Sequence, residues 1–237
     1  TETTTNCAYT FRVDIKNFSK LTKAQRAKYL APTHPLTKVI DRDLTMNVSW
    51  DIETYRTIQN GAVPKPEDKD FTIFMICSAY FWQWSDDPLL TVCLVDSEAD
   101  VKPGVMVTVI CGCERNVIEA HIRIIGMMAP DISLAFNGGC FDWPLLFEMA
   151  RRYDLIMLMK ENYSSLPKVT QGRYTDTTQS IIRWNFQGKK IKIDAESSHY
   201  INTVAMFPGI LDTDVLPVFM KLYPRAEVGK AASLNYF

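Results

Sequence analysis

Apolar and polar residues alternate along VSWDIETY (48–55), which predicts a strand that turns Trp50 and Ile52 into a core and leaves Asp51 and Glu53 on the opposite face. A breaker-rich linker follows at 57–70, with Gly61, Pro64 and Pro66. FTIFMICSAYFWQW (71–84) is nearly all apolar, as expected of a strand in a sheet covered on both faces. PLLTVCLVDS (88–97) is expected to pair with it through a tight Ser-Asp-Asp-Pro turn, and VMVTVIC (105–111) reads as a third apolar strand.

The period then changes. Val117, His121, Ile124, Ile125 and Met128 recur at helical spacing over 114–128. DISLAF (131–136) reads as a short strand, and Asn137-Gly138-Gly139 turns the chain. FDWPLLFEMARRY (141–153) reads as a helix that tolerates Pro144 in its first turn. Residues 181–193 read as a hairpin turning near Gln187-Gly188, and VLPVFMKLY (215–223) as a helix. Strands first, then helix, strand, helix, hairpin and helix imply an α/β domain: a mixed, ribonuclease-H-like sheet flanked by helices.

Composition narrows the picture. The 237 residues are 47% hydrophobic and 11% aromatic, enough for a full core and against a disordered chain. The net charge of −1 supplies no global field for nucleic acid, so any DNA contact has to be local. KNFSKLTKAQRAK (16–28) carries five basic residues and no acid, and reads as a solvated helix face in preference to a DNA contact. Cys77, Cys93 and Cys111 sit in apolar runs, and Cys111 and Cys113 are too close for a C-x₂-C zinc pair, so the six cysteines are expected to be structural thiols in a reducing compartment. No uncharged run of 18 apolar residues exists, so no membrane partner is expected. The chain begins without Met and ends at Phe237 inside an apolar segment, and both ends read as cuts in a longer protein.

The candidate chemistry lies in carboxylates. Asp51 and Glu53, two apart on a strand, share a face at a separation of roughly 6.5–7 Å. Two acids on an apolar strand are costly unless neutralised, and Mg²⁺, with its preference for hard oxygen ligands, would neutralise them. Asp-x-Glu also occurs at Asp96/Glu98 and Asp194/Glu196, where a solvated strand end is the ordinary reading; only Asp51/Glu53 is flanked by apolar residues inside a central strand. Asp142 follows a Gly-Gly turn and opens a helix, where it serves as an N-cap, a metal ligand or both. The two glycines permit close approach of a phosphate backbone.

DIET (51–54), followed by Asn137-x₃-Phe141-Asp142, resembles the first two exonuclease motifs of B-family DNA polymerases. APDISLAFNGGCFDWPLL (129–146), PGILDTDVLPVFMKLYPRAE (208–227) and SLNYF (233–237) resemble neighbouring stretches of that family, in wording most like the polymerases of large eukaryotic DNA viruses of the African swine fever type. The resemblance covers about 48–237 and leaves 1–47 as the tail of an N-terminal domain. It implies a DEDD-type 3′–5′ proofreading exonuclease, truncated at its C-terminus. It assigns Asp51, Glu53 and Asp142 as catalytic ligands of two Mg²⁺ or Mn²⁺ ions, and Thr54, Asn137 and Phe141 to the DNA end. The implied partners are the single-stranded 3′ end of a DNA primer, nucleotides and the rest of the polymerase chain, in host cytoplasm or nucleus if viral.

Some features depart from the family or compete with the reading. The family's third motif, Tyr-x₃-Asp, occurs nowhere in the 237 residues, so the fourth acid is expected beyond the cut and the fragment is expected to be weakly active or inactive. Lys189, Lys190 and Lys192 lie where many members carry a primer-moving hairpin, although a solvated face is the simpler reading. Asp212-Thr213-Asp214 has the form of a palm-domain motif but lacks its Tyr-Gly lead, and reads as a helix entry. His121 reads as a core residue in preference to a base. The rival function is a DNA-holding or interdomain module of a viral replication protein without nuclease activity.

Overall fold

A computed structural model describes residues 22–29, 31, 45–57, 63–100, 104–164, 183–192, 199–207 and 209–223. Helix α1 (Lys23–Tyr29) precedes the sheet. It is capped reciprocally: the Gln25 amide donates to Thr22 Oγ1 at 3.2 Å, while the Thr22 amide donates to Gln25 Oε1 at 2.9 Å. The described lysines of α1, Lys23 and Lys28, are exposed, in keeping with a solvated face.

Strands β1 (Met46–Arg56), β2 (Phe71–Trp82) and β3 (Leu90–Val95) form an antiparallel meander. The β1–β2 connection is tied at its base, where Thr57 N–H donates to the Asp70 carbonyl at 2.9 Å and Arg56 pairs with Asp68 and Asp70. Strand β4 (Val107–Ile110) runs parallel to β3 at the sheet edge, and Val107, Val109 and Ile110 are exposed, so this apolar run is an edge strand.

Helix α2 (Glu114–Met128) leads into β5 (Ile132–Ala135), which lies parallel beside β1. Helices α3 (Asp142–Arg152) and α4 (Ile156–Tyr163) follow. Strands β6 (Arg183–Lys192), β7 (His199–Phe207) and β8 (Ile210–Asp214) precede α5 (Leu216–Leu222). The eight-stranded order is β4-β3-β2-β1-β5-β8-β7-β6, with β8 parallel to β5. Its β3-β2-β1-β5-β8 centre, with β2 antiparallel to its neighbours, is the ribonuclease-H-like α/β arrangement that the sequence pattern implies.

Two expectations are corrected. Residues 183–192 form one strand and do not turn at Gln187-Gly188; the hairpin is made by β6 with β7. The β6–β7 register shifts between Gln187 and Lys190, so Gly188 lies at an irregularity in the ladder, a role glycine takes as readily as a turn. Residues 212–214 lie on β8 and are not the entry of a helix, although Asp214 Oδ1 accepts the amide of Leu216, the first residue of α5. SLNYF and Asp194/Glu196 lie outside the described residues.

Parity along β1 sets the layers. Val48, Trp50 and Ile52 are buried under α2 and α3, whereas Asp51 and Glu53 face out. The cross-strand partners Tyr80, Ser78 and Ile76 share the buried face. The buried stripe of α2 is Val117, Ile118, His121, Ile122 and Ile125, with Ile124 and Met128 packed at its margin. Among the described residues no helix is long and apolar enough to cross a membrane.

Candidate active site

Three elements meet around the carboxylates. Strand β1 presents Asp51 and Glu53 on one face, with Asp51 directly opposite Cys77 of β2. The β1–β2 register shifts between Glu53 and Thr54, and such irregularities re-aim side chains beside functional sites. Beyond the shift Thr54 is half-buried.

The turn after β5 brings in the other acid. The amides of Cys140 and Phe141 donate to the Asn137 carbonyl, and the Trp143 amide to the Gly138 carbonyl. A Cβ on Gly138 would lie 2.5 Å from Ala135 Cβ, so the chain closes this tightly only with glycine there. Asn137 takes a left-handed conformation at φ 61°. Phe141, half-buried, is the N-cap of α3, and Asp142 stands one residue inside it.

Asp142 therefore does not occupy the N-cap position; its Oδ1 accepts the Ile52 amide at 3.3 Å. This bond ties it to the residue between Asp51 and Glu53. Asp142 is only 1% exposed, and burial pushes its carboxyl up to about 8. The next cause is the negative charge of Asp51, close enough to accept a hydrogen bond from the protonated Asp142 carboxyl. The structure thus brings Asp51 and Asp142 together, with Glu53 one strand repeat away on the face of Asp51. Among the described residues no three His, Cys, Asp or Glu side chains stand in a preformed metal cluster. The donor set still suits a hard divalent cation: carboxylate oxygens, one of them buried and held against a like charge that a cation would relieve.

Asp51 also lines a groove of about 560 Å³ on the outer face, walled by Cys77, Ala79, Phe136, Val215 and Phe219. Phe136 and Phe219 stand with ring centroids 6.3 Å apart. The Cys77 thiol is pushed up to about 12, first by burial and then by its hydrogen bond with Cys93, so it stays protonated beside the acids. A larger hollow, about 790 Å³, lies elsewhere between Glu67, Glu148, Arg151 and Arg152, where Glu148 already pairs with both arginines.

Sequence reasoning missed the acids of β8. Asp214 Oδ1 accepts the Asn137 amide at 2.9 Å, and Asp212 Oδ1 accepts the Trp143 indole N–H at 3.0 Å. The i, i+2 spacing on a strand was the available signal, but the strand itself went unread.

Comparison with known proteins identifies the family. The family described as DNA polymerase family B, exonuclease domain, matches residues 2–224. A protein named DNA polymerase beta from African swine fever virus is 30% identical over 186 residues, 78% of this chain and 15% of that relative. The same protein from another isolate is 26% identical over 219 residues, 91% of this chain and 17% of the relative. A DNA polymerase of Archaeoglobus fulgidus is 24% identical over 128 residues, 52% of this chain and 16% of the relative. The chain thus spans only about a sixth of these relatives' length. With the family matched over nearly all of the sequence, the chain belongs to the family B DNA polymerases, as part of their exonuclease domain.

Proposed function

We propose that the domain removes nucleotides from the 3′ end of DNA, as the 3′–5′ proofreading exonuclease of a DNA-directed DNA polymerase. The observation that carries this reading is the buried Asp142 carboxyl, tied to the Ile52 amide and held against Asp51. A carboxyl buried against a second acid on a central strand gives up its charge unless a counter-charge is present, and strongly perturbed carboxyls of this kind cluster at functional sites.

Asp51, Glu53 and Asp142, with the fourth acid the family implies, would hold two Mg²⁺ or Mn²⁺ ions. When bound, the ions supply Lewis acidity: they lower the pKa of a water and screen the charge that builds on the phosphate. The chain's own residues do the rest. Phe141 offers an aromatic face on which a terminal base stacks. Asn137 and Thr54 hydrogen-bond the unpaired end and hold it in line with the carboxylates. A mispaired end frays more readily, so it reaches the site more often, and editing needs no reading of base sequence. The partners on this reading are a single-stranded 3′ end and the remainder of the polymerase chain, inside an infected host cell if the source is viral.

The test is trimming of 3′-labelled single-stranded DNA in Mg²⁺ or Mn²⁺ by a polymerase-length protein containing this domain. Asp51→Ala with Glu53→Ala, and Asp142→Ala separately, should each cost about a hundredfold or more. Trimming at the wild-type rate by the double variant ends the nuclease reading. A protein that binds the DNA without trimming it in either metal is instead a DNA-holding module. The 237 residues alone should trim weakly or not at all.

A further inference from the structure

Two buried tryptophans flank the paired acids: Trp50 precedes Asp51 on β1, and Trp143 follows Asp142 on α3. Their rings meet edge to face, with centroids 4.6 Å apart at 72°. Trp50 Nε1–H donates to Ser133 Oγ at 3.0 Å. Ser133 Oγ–H in turn donates to Asp212 Oδ1 at 3.3 Å. Trp143 Nε1–H reaches the same oxygen at 3.0 Å. Ser133 and Asp212 are direct register partners on β5 and β8, and Trp50 reaches Ser133 diagonally from two positions beyond Val48, the partner of Ser133 on β1.

We propose that Asp212 is a positioning residue for the carboxylate site, with one of its oxygens fixing both tryptophans and, through them, the separation of Asp51 from Asp142. The proposal rests on the nuclease reading above. Strand β1 and helix α3 are joined directly by the Ile52–Asp142 bond, and the Asp212 oxygen ties them a second time, to Trp143 directly and to Trp50 through Ser133. Removing it takes the acceptor from the Trp143 N–H and from the Ser133 O–H in the core, where each donor must regain a partner by moving. A shift of either ring moves the backbone of the adjacent acid, and displacements near 1 Å are enough to cost chemistry heavily. Asp212 touches neither DNA nor metal on this reading, so its effect belongs to the chemical step and not to DNA binding.

The experiment compares Asp212→Ala, Asp212→Asn and Ser133→Ala in the polymerase-length protein. It reads the kcat and KM of single-stranded DNA trimming, the Mg²⁺ concentration giving half-maximal rate, and hydrogen exchange of the two indole N–H groups by ¹⁵N NMR. Asp212→Ala should lower kcat about tenfold, raise the Mg²⁺ requirement several-fold and leave the KM for DNA unchanged, with both indole protons exchanging faster. Asp212→Asn, which keeps an acceptor oxygen, should recover kcat to within about threefold of wild type. Ser133→Ala should loosen the Trp50 proton only and reduce kcat less, and it carries the test if Asp212→Ala does not fold. Wild-type kcat and Mg²⁺ dependence in Asp212→Ala, or no recovery in Asp212→Asn, overturns the assignment. Asp51→Ala run alongside separates the two readings. If it too trims at the wild-type rate, the nuclease reading has failed, and indole exchange alone decides whether Asp212 holds the rings.

Discussion

Asp214 holds Asn137 by its backbone: Oδ1 accepts the Asn137 amide at 2.9 Å while also accepting the Leu216 amide at 3.0 Å. The carboxylate is 6% exposed, and Asn137 sits at φ 61°, a conformation most residues avoid. Asp214→Ala should therefore cost about 1–3 kcal/mol, because two amides lose their acceptor at once. Urea unfolding midpoints measure the loss, and Asp214→Asn should recover part of it. A midpoint unchanged in Asp214→Ala would mean that the turn holds its shape without the carboxylate.

Asn137 combines backbone strain with a proposed DNA contact, and one substitution separates them. Glycine adopts positive φ freely, so Asn137→Gly should leave stability level or raise it by up to about 1 kcal/mol. If the side chain holds the 3′ end, the same variant should trim single-stranded DNA about tenfold less efficiently, chiefly through KM. Equal efficiency would reduce Asn137 to a turn former.

Residues along β1 show how far the sequence could be read. Alternation of apolar and polar positions placed Trp50 and Ile52 inside and Asp51 and Glu53 outside, because a half-buried strand writes its two faces into every second residue. The irregularity between Glu53 and Thr54 was not legible, since register belongs to a pair of strands and not to one. Helix α4 went unread because its apolar residues, Ile156 to Met159, run consecutively and show no helical period. At 181–193 the glycine signal was real but ambiguous, as Gly188 serves a ladder irregularity as well as it would serve a turn. The Asp212 connections join residues 69 and 79 positions apart, and no local pattern encodes such a meeting. Asp51, Glu53 and Asp142 stood out as candidates through their motifs, but the burial of Asp142 came only from the packing of α3 against β1.

Gly138 should be intolerant of even one methyl group. Its added Cβ would meet Ala135 Cβ at 2.5 Å and Asp142 Oδ2 at 3.6 Å. Gly138→Ala should cost about 1–3 kcal/mol as the turn is forced open, and should reduce trimming by displacing Asp142. Removing the opposing methyl with Ala135→Gly in the same chain should restore more trimming than Ala135→Gly alone loses. A double variant no better than Gly138→Ala would place the defect in backbone conformation instead of in the contact.

His121 makes the fold sensitive to mild acid. The ring is 1% exposed beside Trp50, with centroids 5.2 Å apart, and neither nitrogen has a hydrogen-bond partner among the described residues. Burial pushes its pKa down to about 3, against about 6.5 in an unfolded chain. Above about pH 6.5 the ring is neutral in both states and folding carries no protonation penalty. As the pH falls from 6.5 towards 3, the unfolded chain takes up a proton that the native ring refuses, so stability declines by about 1.4 kcal/mol per pH unit from this group alone. Carboxylates act in the same window, and Asp142, raised to about 8, acts in the opposite direction because the native state takes up its proton first, so the informative quantity is a difference between proteins. His121→Leu should lose the component between pH 6.5 and 5 while keeping the steeper fall below it, whatever its stability at pH 7.5. Urea unfolding free energies at pH 7.5, 6 and 5 for the two proteins supply the comparison. Parallel pH slopes in wild type and variant would mean that the buried imidazole is protonated in the native state, and the core around Trp50 would then have to contain an acceptor for it.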